Sequence, residues 1–214
     1  MSDAITVLGR GKAGRALSAA LQAPNLPHDA RPDGLVIIAV PDRAIADVAA
    51  RFTGRCCHLS GSLHLEDVPA AHPLVSFDGM ARDFTGIPLA MTGRVPEGIT
   101  KAFARLGFVP FDLPPEHKAL YHATAVLTSG HAATLWLGAE MLLRRAGIVL
   151  PGQGLLPLAQ ATLNNVAEHG TAGRTGPFVR GDEETIARDR AALVEPWGEI
   201  FEILGRAPVD SGER

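Results

Sequence analysis

Hydrophobic positions divide the chain into two parts with different periodicity. Up to residue 113, short apolar runs alternate with segments of helical period, and LVIIAV at residues 35–40 is typical of a central parallel strand covered on both faces. The pattern predicts strands at residues 4–8, 35–40, 56–59, 75–77, 88–91 and 108–111, and helices at residues 12–21, 44–51 and 97–106. This alternation favours α/β architecture with a doubly wound, Rossmann-like sheet.

Residues 114–214 have a helical pattern. Pro114 and Pro115 mark the boundary, and helices are predicted at residues 116–146, 155–168 and 182–204, whereas residues 173–182 have no helical period. Asp182 is placed to cap the last helix, and Pro196 is expected to kink or split it. We therefore expect a Rossmann-like domain, residues 1–113, followed by an all-α domain, residues 114–214.

Composition argues against several classes of protein. Hydrophobic residues make up 46% of the 214 and charged residues 20%, so a core can form, and a net charge of −3 without a basic stripe argues against nucleic-acid binding. No apolar run is long enough to cross a bilayer, and no signal peptide is recognisable. The only cysteines, Cys56 and Cys57, are adjacent, which predicts two buried thiols and fits a cytoplasmic protein.

A glycine motif follows the first predicted strand. Gly9, Gly11 and Gly14 have the G-x-G-x-x-G spacing, in which one glycine permits a tight turn, the next lets a pyrophosphate approach and the third lets helix and strand pack closely. Free N–H groups at the helix start would bind phosphate, and Arg10 and Lys12, which flank Gly11, would add positive charge. The alternative is that these glycines serve packing alone.

The adenosine half of such a site is shortened. A Rossmann fold continues into a second strand that ends in an acidic residue near the ribose, yet only residues 22–34 separate the first helix from the next predicted strand. This span contains three prolines and cannot hold a strand, a helix and another strand. Asp29 could approach a ribose, whereas Asp33 beside Gly34 is more simply a turn residue. We therefore expect the second strand to be missing.

Polar residues follow two predicted strands, at the edge where open α/β sheets bind ligands. Asp42 comes directly after the strand that ends in Val40 and Pro41, and Ser60 and Gly61 follow the next strand. Asp42 and Ser60 could contact a ligand or serve only as caps. His58, within a strand, is more simply a hydrogen-bonded core residue, and the loop histidines lack metal-ligand spacing, so we expect no metal site.

The predicted long helix, residues 116–146, contains the strongest candidates for catalytic side chains. Lys118 and His122 are four residues apart and share a face, Ser129 lies seven residues further on roughly the same stripe, and Tyr121 is one step round. His122 is the favoured proton donor because imidazole titrates near physiological pH, and Lys118 and Tyr121 are further catalytic candidates. The alternative is a solvated helix face.

Arg180 lies in the irregular segment before the last helix. Its guanidinium could hold a substrate carboxylate in a bidentate grip, or it could pair with Asp182 and lock the loop. The sequence favours neither interpretation over the other.

Several segments in order resemble a known family. They are VLGRGKAGRAL, VIIAVPD, HLSGS, HPLVSF, YHATAVLTSG and TGPFVRGDEET. The family comprises NAD(P)-dependent oxidoreductases with a Rossmann-like N-terminal domain and a helical C-terminal domain of unknown function, within the 6-phosphogluconate dehydrogenase-like superfamily. Ketopantoate reductase and pyrroline-5-carboxylate reductase are its better-understood relatives. The resemblance spans nearly the whole chain.

The resemblance implies a hydride-transferring fold, a homodimer built through the helical domain, and a substrate site in the cleft between domains. The residues that would contact NADP or NAD are Gly9, Arg10, Gly11, Lys12, Ala13, Gly14, Val40, Pro41 and Asp42. The residues that would contact a small-molecule substrate are Ser60, Gly61, His72, Ser129 and Arg180. In one departure, Gly130 stands where the family commonly has an Asn after the serine of the long helix.

Two hypotheses follow from the sequence. The first is an NAD(P)-dependent oxidoreductase that acts on a small carbonyl, imine or hydroxy acid. The second is a non-catalytic, dimeric ligand-binding or regulatory protein with a degenerate Rossmann site. Neither hypothesis involves nucleic acid or a membrane.

Overall fold

A seven-stranded sheet forms the centre of the first part of the chain. In the computed structural model, which describes residues 4–209, its strands are β1 (Ile5–Leu8), β2 (Asn25–Leu26), β3 (Leu35–Ile38), β4 (Cys56–His58), β5 (Ala70–Pro73), β6 (Pro88–Thr92) and β7 (Val109–Asp112). Their spatial order is β2-β1-β3-β4-β5-β6-β7. The first five strands are parallel, β6 is antiparallel to β5, and β7 is parallel to β6. The shortened Rossmann-like class is confirmed, with a reversed pair of strands at one side.

Contacts divide the chain into two compact units, of which the first ends at Thr134 and the second begins at Leu135. The helices of the first unit are α1 (Lys12–Leu21), α2 (Asp42–Ala49), α3 (Glu97–Arg105) and α4 (Lys118–Val126). Helix α5 (Ala132–Arg145) includes the boundary. The second unit continues with α6 (Leu156–His169), α7 (Pro177–Arg180), α8 (Glu183–Ala192) and α9 (Trp197–Arg206). The domain boundary between residues 113 and 114 stays a prediction.

Two hydrophobic clusters of the first unit receive alternate residues of the strands. Val7, Ile37 and Cys57 pack in one cluster, and their neighbours Leu8, Ile38 and Cys56 pack in the other. Successive side chains of a strand point to opposite faces, so both faces of the sheet are covered, and this explains the continuous apolar runs. The prediction of two buried, unbridged thiols is confirmed. Burial raises the pKa of Cys56 to about 11.

The span between α1 and β3 contains a strand, so the expectation that the second strand is missing was wrong. Asn25 and Leu26 pair in parallel with Val7 and Leu8, and residues 27–34 then return to β3 without a helix. Because Asn25 lies between prolines, its local sequence indicates a turn, and only pairing with β1 makes it a strand. The strand is therefore shortened to two residues, and the helix that would follow it is replaced by a loop.

Other elements differ from the sequence prediction. No strand forms at residues 75–77, and β5 instead lies at Ala70–Pro73, where pairing with β4 and β6 outweighs the weak strand propensity of alanine.

The last predicted helix is split into α8 and α9 around Pro196, as expected for proline. Asp182 caps α8 by accepting a bond from the Thr185 N–H at 3.1 Å, which confirms that prediction. The irregular segment contains the short α7.

The predicted long helix is present as a continuous helical run that changes its period. A 3₁₀ turn (Pro115–His117) leads into α4, and a π-helical turn (Leu127–His131) connects α4 with α5. The Ser129 hydroxyl, in the π-helical turn, donates a hydrogen bond to the Ala125 carbonyl at 2.7 Å. Such hydroxyl-to-backbone bonds bend helices, and π-helical turns occur frequently at functional sites.

The second unit buries little apolar surface of its own. Trp197 lies against Gly138, where a Cβ would be 1.9 Å from the indole ring, and Phe178 stacks edge-on with Phe201 at 5.0 Å. Ile186 is the only hydrophobic side chain that is buried among residues 135–209. Across residues 4–209, none of the helices combines the length and apolar character needed to cross a membrane.

Gly14→Ala is expected to destabilise the first unit by about 1–3 kcal/mol. A Cβ at Gly14 would lie 2.0 Å from the carbonyl oxygen of Gly9, and this backbone oxygen cannot move without displacing the loop after β1. Gly11→Ala is the matched control, because nothing lies within 4 Å of a Cβ at that position. Denaturant unfolding of both variants measures the effect. Equal free energies of unfolding would contradict the close contact between α1 and the loop.

Candidate functional site

The three positions after β1 are occupied by glycine for different structural reasons. Gly9 has a φ of 113°, and a Cβ there would lie 2.2 Å from the Ala39 carbonyl oxygen. At Gly14, a side chain would clash with the carbonyl oxygen of Gly9. Gly11, the N-cap of α1, has an ordinary backbone conformation and open space around its Cβ position. The fold therefore requires Gly9 and Gly14, whereas the described residues leave open space for a side chain at Gly11.

The start of α1 suits an anionic group. Its first turn has no acidic residue, the side chains of Arg10 and Lys12 are exposed, and Ala13 lies half-buried beside them. Unpaired N–H groups and the positive end of the helix dipole attract phosphate at such a place. These are the residues that could hold the pyrophosphate of a dinucleotide.

Two residues that the sequence analysis missed hold the glycine loop in place. The Asn25 side-chain amide donates to the Gly9 carbonyl at 2.8 Å and to the Val7 carbonyl at 3.3 Å. The Arg15 guanidinium donates to the Arg10 carbonyl at 2.9 Å. Asn25 becomes recognisable only once β2 is paired with β1, so the local sequence contains no signal for this role.

The predicted polar residues after β3 and β4 meet at the carboxyl edge of the sheet. Val40 contacts the Gly9 position and Pro41 is the N-cap of α2, so the cap interpretation of Asp42 was wrong. The Asp42 carboxylate instead accepts hydrogen bonds from the hydroxyls of Ser60, at 2.9 Å, and Ser62, at 3.3 Å. It lies in the first turn of α2, where the helix dipole favours negative charge.

Ser60 is the centre of this hydrogen-bond network. Its hydroxyl donates to Asp42 and accepts from the Leu63 N–H at 3.0 Å, and its own N–H donates to His58 Nδ1 at 3.2 Å. Its carbonyl oxygen accepts a bond from Lys118 Nζ at 3.0 Å. Each polar atom of this buried residue therefore has a partner within the protein, and the predicted contact of Ser60 with substrate stays a prediction.

Lys118 is almost completely buried, at 1% exposure. Burial lowers the pKa of its ammonium group, and the negative charge of Asp42 opposes that shift. The bond to the Ser60 carbonyl gives the buried charge a polar partner. Lys118 therefore connects the start of α4 to the loop after β4.

His72, Tyr121 and His122 meet around Gly61. The Tyr121 hydroxyl lies 2.9 Å from His72 Nδ1, and the rings of His72 and His122 are 6.2 Å apart between centroids. A Cβ at Gly61 would lie 2.8 Å from His122 Cδ2 and 3.0 Å from His72 Nε2, so the two imidazoles leave no room for a side chain. Burial lowers the pKa of His72 to about 4 and raises the pKa of Tyr121 to about 12. Both groups are therefore neutral near pH 7.

A cavity of about 370 Å³ adjoins this group of residues within the first unit. His72, Tyr121, His122 and Ser129 line it together with Leu74, Val75, Ser76, Thr124, Ala125, Val126 and Thr128. Arg180 belongs to the second unit, where it is exposed at the end of α7, and its predicted role stays a prediction. Within residues 4–209 no three His, Cys, Asp or Glu side chains are grouped as metal ligands would be.

His58 is a fully buried residue with an unusual bonding pattern. Its Nδ1 accepts the Ser60 N–H, as expected for a hydrogen-bonded core histidine, but its Nε2 has no partner among the described residues. Burial, with a contribution from the charge of Lys118, lowers the pKa of His58 to about 4. The ring is therefore neutral and carries its proton on Nε2.

Comparison with known proteins gives one family and a shared fold. A family model described as a domain of unknown function, DUF2520, matches residues 90–207. A candidate NADP oxidoreductase from Bacteroides fragilis, BF3122, has a TM-score of 0.77 at 22% identity over 95% of this chain and 96% of its own. Protein TM1727 from Thermotoga maritima has a TM-score of 0.73 at 21% identity, over 94% and 95%. Among curated proteins, none matches the sequence.

A reductive aminase from Aspergillus terreus, solved in complex with NADPH and ethyl levulinate, is also similar. Its TM-score is 0.65 at 15% identity, over 96% of this chain and 92% of its own. At these identities the likeness concerns the fold.

The free energy of unfolding is expected to decrease as the pH falls from 6.5 to 4, with a contribution from His58. The buried ring has a pKa of about 4, against 6.5 for an exposed ring, so within this window the unfolded chain binds the additional proton. Stability therefore rises with pH across the window, by on the order of 3 kcal/mol from this residue.

The test is denaturant unfolding across that window for the natural protein and for His58→Gln, whose amide can still accept the Ser60 N–H. The variant should show a shallower dependence on pH. His28→Gln is the matched control, because the His28 ring is exposed. Identical pH dependence in all three proteins would refute a neutral, buried His58.

Proposed function

The chain belongs to the DUF2520 family, and from this premise we propose that it is an NAD(P)-dependent oxidoreductase acting on a small carbonyl, imine or hydroxy acid. The fold that it shares with a candidate NADP oxidoreductase and with an NADPH-bound reductive aminase supports this proposal. A cytoplasmic location is part of it, in agreement with the free cysteines.

The open position at Gly11 carries the proposal. The protein itself leaves space for a side chain there, and the exposed start of α1 surrounds that space with N–H groups and positive charge. This arrangement fits a pyrophosphate, which needs close approach to the backbone. Residues 9–14 would hold the phosphates, with Val40, Pro41 and Asp42 alongside. When bound, the nicotinamide supplies or accepts the hydride, and NADP and NAD both remain candidates.

The chain's own residues would orient the substrate and move a proton. Tyr121 and His122 line the cavity and Lys118 lies behind them, bonded to Ser60, so these three residues are the candidates for proton transfer and its support. His72, Gly61 and Ser129 would contact the substrate in the cavity. Ser60 belongs to the same proposed set, and Arg180, in the second unit, stays a predicted substrate contact.

The alternative is a non-catalytic binding or regulatory protein. The observation that favours it is the two-residue β2, followed by a loop in place of a helix, on the side where a Rossmann fold binds adenosine. Asp29, the only acidic residue in residues 27–32, is exposed in this loop. Nucleotide binding distinguishes the two functions.

We further propose that two copies of the chain pair through their helical parts. Most exposed large hydrophobic side chains lie in the second unit, including Leu156, Leu158, Leu163 and Val166 of α6. A unit with one buried hydrophobic side chain among its described residues needs another apolar surface against it. A second copy presents the same apolar helix, which makes a twofold contact self-complementary.

Titration of the purified protein with NADPH and NADH, followed by nicotinamide fluorescence and by thermal unfolding, tests the oxidoreductase. Binding to the folded state should raise the apparent melting temperature. Gly11→Val should weaken binding at least about tenfold, which corresponds to about 1.4 kcal/mol, because its side chain occupies the approach to the backbone. The unliganded stability of Gly11→Val should be close to that of the natural protein. No stabilisation by either nucleotide at saturating concentration would favour the non-catalytic alternative.

Leu163→Lys on α6 is expected to convert the dimer to a monomer. A lysine ammonium at the centre of an apolar contact is costly to desolvate, whereas the same charge on a polar position is not. Gln160→Lys, also exposed on α6, is the matched control. Light scattering coupled to gel filtration measures the mass. A monomeric natural protein, or equal masses for both variants, would refute pairing through α6.

A further inference from the structure

We propose that Tyr121 is the proton donor of this oxidoreductase and that its cavity accepts an uncharged aldehyde or ketone. This inference rests on the proposed function and names its acid and its substrate class. It differs from the sequence expectation, in which His122 is the favoured donor.

Two neighbouring rings hold the phenol ring of Tyr121, a residue that lines the cavity. His72 from β5 meets the phenol edge-on at 5.5 Å between centroids, and Phe111 from β7 does so at 6.0 Å. The hydroxyl oxygen lies 2.9 Å from His72 Nδ1. Tyr121 is thus both exposed to the cavity and fixed in position, as a group that must meet a reacting oxygen requires.

The other two candidates are placed less well. Lys118 is buried, donates to the Ser60 carbonyl and is not among the residues that line the cavity. His122 lines the cavity, but within residues 4–209 no hydrogen bond to its ring fixes its orientation. The geometry therefore favours the phenol over both.

The reaction balances through these groups. A bound reduced nicotinamide would supply the hydride to the carbonyl carbon, the π pair of the C=O bond would move to oxygen, and that oxygen would take the proton of the Tyr121 hydroxyl. The phenolate left behind lies within hydrogen-bond distance of His72 and regains a proton from solvent through that imidazole. Burial keeps Tyr121 protonated and His72 neutral beforehand, so a proton is available when the alkoxide forms.

The cavity lining indicates the class of substrate. Leu74, Val75, Ala125 and Val126 are apolar, and the hydroxyls of Thr128 and Ser129 donate to carbonyls of their own helix at 2.9 and 2.7 Å. Among residues 4–209, those that line the cavity include no arginine or lysine for a substrate carboxylate and no aspartate or glutamate for an iminium ion. The charge of Lys118, which contributes to the low pKa of His72, further disfavours a cation here. A small neutral carbonyl compound fits this environment.

The chain contains a single tyrosine, so the acid can be observed directly. In protein made with ¹³C-labelled tyrosine, the Tyr121 resonance should still report a protonated phenol at pH 10.0, the ordinary midpoint for this group. The titratable group in contact with it is His72 of β5, and Lys118 and His122 are its titratable neighbours on its own helix. A resonance that titrates at the ordinary midpoint would overturn the placement of the hydroxyl in the cavity wall.

Turnover is measured as oxidation of NADPH and, separately, of NADH with three probe sets: small neutral aldehydes and ketones, 2-oxo acids, and cyclic iminium ions. We expect activity with the neutral carbonyl compounds, and a loss of at least about 100-fold in kcat for Tyr121→Phe. NADPH binding by Tyr121→Phe should be unchanged. His131→Gln, exposed in the π-helical turn, is the control for helix integrity and should retain turnover.

Each contrary result has a distinct meaning. Preference for an acid or an iminium ion would overturn the substrate class, and loss of turnover in His122→Gln but not in Tyr121→Phe would overturn the proton donor. If the natural protein binds neither NADPH nor NADH, the proposed function fails, and this inference fails with it.

Discussion

The ammonium group of Lys118 lies buried against the carbonyl oxygen of Ser60, and this contact ties helix α4 to the carboxyl edge of the sheet. A charge removed from water must find polar partners, so the helix cannot rotate or slide without leaving it unpaired. Asp42 bonds to the hydroxyl of the same serine, which brings the opposite charge to the other side of Ser60. One turn further along α4, Tyr121 and His122 are thereby held beside His72.

This arrangement separates residues that build the site from residues that face its cavity. Ser60, Asp42 and Lys118 bond to one another and hold the loop between β4 and β5. His72 and Tyr121 bond to each other and also line the cavity. Gly61 provides the narrow gap in which the two imidazoles meet. A network of paired polar groups thus fixes the positions of the residues that line the cavity.

The glycines at positions 9, 11 and 14 can also be divided into those that the fold requires and one that it does not. Close contacts with the carbonyls of Ala39 and Gly9 explain Gly9 and Gly14 within the fold, whereas contacts among the described residues do not explain Gly11. The loop that replaces a Rossmann helix is itself held, because Arg51 and Arg55 donate to the carbonyls of His28 and Pro32. Phe52 lies between them, with the Arg55 guanidinium 4.8 Å from its ring centroid. This edge of the sheet is therefore short, and hydrogen bonds from two arginines hold its loop in place.

The amino-acid sequence by itself determined the alternation of strands and helices, the turn at Gly9, the helical run after Pro115 and the cap at Asp182. These features depend on periodicity, backbone dihedrals and bonds between near neighbours, all of which can be read locally. The tertiary structure alone decided that β2 exists, that β5 begins at Ala70, and that Lys118 is buried rather than solvated. It also brought His72 to Tyr121, 49 residues away in the chain. Those outcomes depend on partners from distant segments, whose positions no local pattern specifies.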